Sequence, residues 1–313
     1  MFDVRREGVE KDTFSPACLK TKGSFMKLKR FYPYFLLAPT LIILLGVTLY
    51  PFIYSVRLSF FSVPFGRIKY FAGLENYAEL LHDPFFWNGI KNTGIIGGSA
   101  LALEFFIGFT LALLLSRKIK LRGLFRAIFI IPMMLIPVVI ALIWRLMFFP
   151  GGSVVSDVLR HLRLVTGDPN WIGQPTLARL MLIIMDVWAW TPFIFMILLA
   201  GLQGLPREPL EAAEVDGANA LQRFVHITLP LLKPIIVIAL LLRGMDAIKF
   251  FDAVYAVTGG GPGSSTETIS FYLYRIGFKS FKMGYASAMS VIVFVIVFVL
   301  ANYLLRKGFI IEE

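Results

Sequence analysis

The sequence of 313 residues is poor in the side chains that build disulfides and metal centres. It has one cysteine, Cys18, so no disulfide can form within the chain, and its three histidines are scattered at His82, His161 and His226. Metal sites need several such ligands close together, so catalytic zinc or heme is not expected. The Gly-rich run at 259–263 lacks a following Lys-Ser/Thr pair, which argues against a nucleotide-binding loop. We therefore expect no catalytic residue, no metal and no cofactor in this chain.

Charged residues are also scarce, and long apolar runs take their place. Asp, Glu, Lys and Arg make up 16% of the chain, apolar residues 57%, and the mean hydropathy is +0.74. Soluble domains carry about 25% charged residues, so we expect an integral membrane protein. A helix needs about 20 apolar residues to cross a bilayer. Six windows satisfy this, near 34–60, 93–116, 124–147, 177–202, 230–251 and 284–305. The sequence thus predicts an all-α polytopic membrane protein with about six transmembrane helices.

The remaining charges lie mainly at the ends of these windows and predict the orientation. Lys and Arg are concentrated in residues 1–30, in the loop at 117–126 and after the last window. Basic loops are retained in the cytoplasm, so both termini and the 203–229 loop are predicted to be cytoplasmic. The formal charge of +11 is explained in this way, without a nucleic-acid partner. Residues 1–30 form a basic tail that need not be ordered. Residues 1–25 have no apolar stretch typical of a secretory signal peptide.

The most informative segment is the polar stretch EAAEVDGANALQRFVHITLP at 211–230, between the fourth and fifth windows. It is too polar to cross a bilayer. Gly217 can take a positive φ at a turn, and Pro230 and Pro234 are expected to mark the entry into the next apolar run. The sequence therefore predicts a cytoplasmic helix–turn–helix at 203–230.

Helical spacing separates two faces in the first of these helices. Leu210, Ala213 and Glu214 fall on one face, and Glu211 and Val215 fall on another. A structured segment of this kind on the cytoplasmic side of a membrane domain needs a partner that pushes on it.

The spacing within this segment also matches a known signature. Glu-Ala-Ala at 211–213, a Gly six residues after the Glu, and Ile-x-Leu-Pro at 227–230 resemble the coupling loop of permease subunits of binding-protein-dependent ABC importers. Asp-Gly-Ala at 216–218 is similar to the sugar-uptake branch, of the maltose and glycerol-phosphate types, and so are the patterns at 70–77 and 257–262. The residues that the resemblance assigns to coupling are Glu211, Ala212, Ala213, Asp216, Gly217, Ile227, Leu229 and Pro230.

The resemblance implies a permease domain over residues 31–313, surrounded by lipid in the cell (inner) membrane of a bacterium or archaeon. It implies a second, homologous permease subunit and two ATPase subunits, which bind ATP and Mg²⁺. It also implies a soluble binding protein that delivers a carbohydrate. Glu211 would meet a basic residue of the ATPase. The chain itself is predicted not to be an enzyme.

Polar and aromatic residues inside the fourth and fifth windows form a candidate substrate pathway. An ionisable residue within a membrane helix costs about 3 kcal/mol and is a functional hypothesis by default. Both groups are expected at similar depth in the outer half of the membrane, where carboxylates, a guanidinium and aromatic rings could bind a sugar. The alternative, that the charges only hold the helices together, stays open. The candidate residues are Asp186, Trp190 and Phe193, and Arg243, Asp246 and Lys249.

Two smaller features complete the sequence-based predictions. Glu104, in the second window, is expected to have a structural role, either paired with Arg145 or another helix or facing the subunit interface. Apolar residues at helical spacing within 152–170 predict a short interfacial helix.

Two other function classes make different demands. A stand-alone secondary transporter or channel predicts inverted repeats or broken helices with ion ligands. A membrane enzyme predicts a nucleophile–base set or metal ligands near the bilayer surface. The sequence shows neither pattern, so the importer interpretation is preferred.

Overall fold

The computed structural model describes residues 16–116, 122–167 and 169–309, nearly all of them helical or in short connections. The chain divides at Ser55 into two compact units. The first consists mainly of α1 (Pro16–Leu58), whose apolar span is Leu36–Leu58. Helix α1 begins inside the predicted basic tail, and residues 1–15 of that tail lie outside the described residues.

The second unit contains the other helices and one small strand pair. The elements are β1 (Phe61–Ser62), β2 (Tyr70–Phe71), α2 (Glu75–His82), α3 (Pro84–Ser116), α4 (Arg122–Met134), α5 (Pro137–Met147), α6 (Val154–His161), α7 (Pro175–Gly204), α8 (Glu208–Val215), α9 (Ala220–Arg223), α10 (Leu229–Ile248), α11 (Ile269–Tyr274) and α12 (Met283–Phe309). Single π-helical turns lie at Phe224–Thr228, Val254–Thr258 and Arg275–Lys279. The all-α class is confirmed, with the antiparallel pair β1–β2 as a local addition.

Within the described ranges, five helices are long and apolar enough to cross a membrane, and a bent pair brings the number to six. The five spans are Leu36–Leu58, Pro84–Ser116, Pro175–Gly204, Ala220–Ile248 and Met283–Arg306. The prediction of about six spans is confirmed. The second span begins nine residues earlier than the predicted 93 because α3 starts at Pro84.

The third predicted window, 124–147, is not one continuous helix. It consists of α4 and α5, whose axes bend by 93° at a short break. The residue before a proline is biased away from the helical region, and Ile136, which precedes Pro137, is extended at φ −66° and ψ 131°. Pro132 lies inside α4 without ending it. The prediction of a single span over 124–147 is therefore corrected to two helices joined at a sharp bend.

Glycines allow α7 to pack closely against α3 and α10. A Cβ at Gly108 of α3 would lie 3.0 Å from the backbone nitrogen of Phe195 in α7. A Cβ at Gly201 would lie 2.9 Å or less from side-chain atoms of Leu232 and Ile235 in α10. Small residues at such contacts let membrane helices approach closely enough for extensive van der Waals packing. These three helices form the frame that holds the candidate site.

Polar side chains attach the connection between α10 and α12 to this frame. The Asn92 amide donates to the carbonyl oxygens of Ser264 and Glu267 at 2.8 and 3.1 Å. Arg179 of α7 donates to the carbonyl oxygen of Ser265 at 2.8 Å. The connection is therefore a fixed part of the structure near the starts of α3 and α7.

The segment predicted to be a short helix within 152–170 is α6. Ser153 accepts a hydrogen bond from the Ser156 amide and caps its start. Val155 and Leu159 pack against the buried core, while Val154 and Val158 are exposed. The helix is confirmed, and its location at a membrane surface stays a prediction.

Asp83 joins the start of α3 to α11 and α12. The hydroxyls of Tyr272 and Tyr285 both donate to its Oδ2, the latter at 2.6 Å. Burial by itself raises the pKa of Asp83, but the two tyrosines and the amides of Phe85 and Phe86 outweigh this and hold its pKa below the ordinary value. The ionised carboxylate thus stabilises the folded state.

This arrangement predicts a pH-dependent stability difference between the wild type and Asp83→Asn. The pKa of Asp83 is lower in the folded state than in the unfolded state, where it is 3.8. The contribution of the carboxylate to the free energy of unfolding is therefore complete above pH 3.8 and is lost as the pH falls through the folded pKa. The wild type should have the higher Tm in detergent at pH 7, and the difference should narrow between about pH 5 and pH 3. A difference that stays constant with pH would contradict this role, and Tyr285→Phe, which removes one donor, should reduce the pH-dependent part.

Candidate functional site

Arg243 of α10 connects three membrane helices through buried ion pairs. Its Nε and Nη2 donate to the two carboxylate oxygens of Glu104 in α3 at 2.8 and 2.9 Å. Nη2 also donates to Asp186 of α7. The side chains of Arg243, Glu104 and Asp186 are 1%, 0% and 3% exposed. A guanidinium fork fits a carboxylate in this paired fashion, which fixes both distance and orientation.

The fourth charge of the network faces open space. Asp246 lies one turn after Arg243 and pairs with its Nη1 at 3.4 Å, while 46% of its side chain is exposed. The ring of Trp190 lies 5.0 Å from the guanidinium carbon of Arg243, a cation–π contact. Asp246 therefore keeps exposed acceptor capacity beside the buried carboxylates of Glu104 and Asp186.

A cavity of about 130 Å³ opens beside this network. Polar and charged groups meet aromatic rings on its wall, an arrangement that suits a small polar ligand with apolar faces. The lining residues are Pro137, Ile140, Met185, Asp186, Ala189, Trp190, Arg243, Asp246, Lys249, Phe250, Phe251, Asp252 and Ala253.

The structure brings together five of the six predicted pathway residues. The lining includes Asp186, Trp190, Arg243, Asp246 and Lys249, the last of which lies immediately after α10. The expectation that α7 and α10 present their charges at one depth agrees with the direct ion pair between them.

Phe193 does not line the cavity. It packs in the apolar core that includes Phe195 and meets the Trp190 ring edge-on at a centroid distance of 6.3 Å. Glu104 has the structural pairing that was expected, but its partner is Arg243. Arg145 instead donates to the carbonyl oxygen of Ala256 at 2.9 Å.

Sequence reasoning missed the part of the cavity wall that comes from outside the fourth and fifth windows. Asp252 and Ala253 follow the fifth window, and Pro137 and Ile140 belong to α5. The position of α5 depends on its bend from α4, and no periodicity in the sequence encodes that bend. Among the residues with described positions, no three His, Cys, Asp or Glu side chains are grouped so as to hold a metal ion.

The predicted helix–turn–helix consists of α8, a tight turn and the helix that starts at Ala220. Gly217 has φ +81°, and the Ala218 amide donates to the Ala213 carbonyl oxygen at 2.9 Å, as at many helix ends that use a left-handed glycine. Asn219 and Gln222 form a reciprocal capping box at the start of the second helix. The geometry of the segment is therefore specified on both sides of the turn.

Helix α8 has one packed face and one free face. Leu210 and Ala213 are half-buried, whereas Glu211 and Ala212 are exposed and Val215 is 88% exposed. Glu214 pairs with Arg223 across the turn at 2.6 Å. A carboxylate, a small residue and an exposed valine thus share the free face.

The second helix does not end before the membrane. Ile227 lies in the π-helical turn Phe224–Thr228, and Leu229 and Pro230 begin α10 without interruption, so the span runs from Ala220 to Ile248. Pro230 and Pro234 lie where the apolar run begins, as expected, but they do not interrupt the helix. Pro230 is at the first turn of α10, where a missing N–H is tolerated. In the π-helical turn just before it, the Leu229 N–H donates to the carbonyl oxygen of Phe224, five residues earlier instead of the usual four.

The chain is similar in sequence to permease subunits of known transport systems. The trehalose/maltose transport system permease protein MalF of Thermococcus litoralis is 37% identical over 279 residues, which are 88% of this chain and 92% of that protein. The trehalose transport system permease protein SugA of Mycobacterium tuberculosis is 35% identical over 297 residues, covering 94% and 93%.

The fold is shared with a chain in the crystal structure of a bacterial alginate ABC transporter in complex with an alginate pentasaccharide-bound periplasmic protein. The TM-score is 0.75 at 23% identity, with 90% of this chain and 95% of that chain covered. Residues 104–310 match the family described as binding-protein-dependent transport system inner membrane component. This match includes the Arg243 network, the cavity and the helix–turn–helix segment, and the chain belongs to that family.

Proposed function

We propose that this chain forms half of the translocation pathway of an ATP-driven importer for a neutral sugar. The observation that carries the proposal is the cavity between α5, α7 and α10, where Asp246, Lys249 and Trp190 lie next to the buried ion pairs that join α10 to α3 and α7. Sugar hydroxyls pair with carboxylates and ammonium groups, and the C–H faces of a sugar ring stack on aromatic rings. The relatives described as trehalose/maltose and trehalose permeases support a carbohydrate substrate.

The charge of the cavity favours a neutral solute over an anionic one. Asp186, Asp246 and Asp252 line it against the cations Arg243 and Lys249. Arg243 is already committed to Glu104 and Asp186, so the groups free to meet a ligand carry a net negative charge. An anionic sugar would lose hydration there and gain no unpaired guanidinium in return.

Family membership and the free face of α8 support the partners that we propose. A second permease subunit would complete the pathway, and a soluble binding protein would deliver the sugar on the outer side. Two ATPase subunits would contact the helix–turn–helix segment from the cytoplasm, where both termini would also lie. ATP and Mg²⁺ would bind to those subunits. The exposed Glu211, Ala212 and Val215 present a surface that a groove could accept closely.

The importer assignment is tested by purifying the tagged chain from its own cells in mild detergent. A second permease, a doubled ATPase and a binding protein should be recovered with it and identified by mass and stoichiometry. Recovery of this chain alone, folded and active in transport after reconstitution, would instead support a secondary transporter.

The cavity assignment is tested by Asp246→Asn. Hydrogen bonds to charged groups contribute about 1.5 to 3 kcal/mol, so uptake of radiolabelled trehalose or maltose at low concentration should fall about tenfold or more. The complex should still assemble because Asp246 is half-exposed and Arg243 retains its two buried partners. The control is Asp157→Asn, which removes an exposed carboxylate paired with Arg160 in α6. Loss of assembly without any change in transport by the remaining complex would favour a purely structural network.

A further inference from the structure

Four aromatic side chains form a continuous series of ring contacts after α10. We call Phe251, Tyr255, Tyr274 and Phe278 the ring column. Centroids of Phe251 and Tyr255 are 5.4 Å apart, those of Phe251 and Tyr274 are 5.1 Å apart, and those of Tyr255 and Tyr274 are 5.6 Å apart. Phe278 continues the series from Tyr274 at 5.8 Å. Of these four residues, only Phe251 lines the cavity.

The ring column begins at the cavity and becomes more exposed away from it. Phe251 is half-buried and lines the cavity next to Asp252. Tyr255 is 50% exposed and Phe278 is 61% exposed. The column is therefore a run of accessible ring surface that leads into the candidate site.

A buried foundation holds these rings in place. Phe271 is 4% exposed and lies within 6.2 to 6.4 Å of Phe251, Tyr255 and Tyr274. Gly260, at φ +87°, lies against it, because a Cβ there would be 2.8 Å from a ring carbon of Phe271. Rings fixed in this way lose little conformational entropy when a ligand binds.

Polar groups accompany the rings at both ends. The ammonium of Lys279 lies 5.9 Å from the Tyr274 ring centroid, and the exposed Asp252 lies at the cavity end. A flat aromatic surface with donors and acceptors at its edge is the usual chemistry for a pyranose, since the ring stacks and its hydroxyls bond sideways. Tyrosine supplies both functions in one side chain.

An aromatic belt at the membrane surface is the other common use of exposed tyrosines. Belt residues are spread around the circumference of a protein at the water boundary. The ring column differs because its members contact one another and end at a charged cavity.

We propose that the ring column is a carbohydrate-binding track that holds additional pyranose units of an oligosaccharide outside the cavity. This inference rests on the proposed function of the cavity. The cavity volume is small, so the track lets the chain bind a longer solute than the cavity could enclose. The track also predicts that affinity increases with the number of sugar units.

The test measures sugar binding to the detergent-purified complex without binding protein, by saturation-transfer NMR with maltose and with maltotetraose. The variants are Phe278→Leu and Tyr255→Leu, with Phe278→Trp as the rescue and Phe71→Leu as the control. Phe71 is 69% exposed and has its ring contact with Phe61, outside the column. Each leucine variant removes one aromatic stacking surface and should raise the Kd for maltotetraose by about threefold to tenfold. The Kd for maltose should change less, and the rescue and control should bind like the wild type.

Three results would overturn the track. The first is an unchanged Kd for maltotetraose in both leucine variants. The second is loss of the other subunits from the complex in those variants, which would make the column a subunit contact. The third is wild-type binding of maltose without binding of maltotetraose. Failure of the proposed function is a separate result, namely no binding or uptake of any sugar by the wild type, whereas a clear effect of Asp246→Asn with no effect at the column would leave the cavity assignment in place.

Discussion

Replacing Arg243 with methionine should prevent the protein from accumulating in a folded form. Methionine fills similar space, but Glu104 and Asp186 would then lie buried together without a cation. Removing one partner of a buried ion pair costs about 3 to 5 kcal/mol, much of the net stability of a typical protein. The measurement is the monodisperse fraction of a fluorescent fusion on size exclusion in detergent, followed by the Tm of whatever protein is recovered.

A compensating variant separates the loss of charge balance from the loss of packing. Adding Glu104→Gln and Asp186→Asn to Arg243→Met removes both buried carboxylates, so most of the folded fraction should return. The matched control is Arg160→Met, because Arg160 and its partner Asp157 are both about half-exposed, and this change should leave the Tm unchanged. A wild-type Tm in Arg243→Met alone would show that the network contributes little to stability.

Reversing the charge of Glu211 should abolish uptake while leaving the chain folded and inserted. Its side chain is on the free face of α8, and no described ion pair depends on it, so Glu211→Lys has little to disturb within the chain. A basic partner residue on the ATPase would then meet a like charge, and such contacts cost several kcal/mol. We expect uptake to fall by more than about tenfold, with loss of the ATPase from the purified complex.

One control removes the charge of Glu211 without changing its shape, and a second reverses a charge elsewhere in the chain. Glu211→Gln keeps the shape and removes the charge, so it should weaken the ATPase contact less than Glu211→Lys. Glu79→Lys reverses an exposed carboxylate in α2, paired with Lys282, and should leave ATPase recovery unchanged. Full uptake and normal ATPase recovery in Glu211→Lys would remove the support for coupling through α8.

The parts of the site that follow helix periodicity could be predicted from the sequence. The spacing of Asp186 and Trp190 in one span, and of Arg243 and Asp246 in the next, places these residues on particular faces. The reversal of direction between consecutive spans then places them at one depth. The turn at Gly217 was predictable for a similar reason, since a left-handed conformation is local and glycine is the residue that adopts it most easily.

The partners of these residues depend on tertiary structure and could not be predicted in the same way. Glu104 and Arg243 are 139 residues apart, and no local pattern distinguishes that pairing from one with Arg145. Proline was an ambiguous signal as well. Pro132 is accommodated within α4, whereas Pro137 follows a break, and the difference reflects packing around each residue as much as its chemistry.

The continuity of the helix from Ala220 to Ile248 has a mechanical consequence. At 1.5 Å per residue, Ala220 and Arg243 lie about 35 Å apart on one rod. The backbone hydrogen bonds fix the length of this helix. A force on one end would therefore tilt or rotate the whole helix and would not shorten it. The ion pairs of Arg243 join this rod to α3 and α7, so we expect a displacement of the end near Gly217 to be resisted at these pairs beside the cavity.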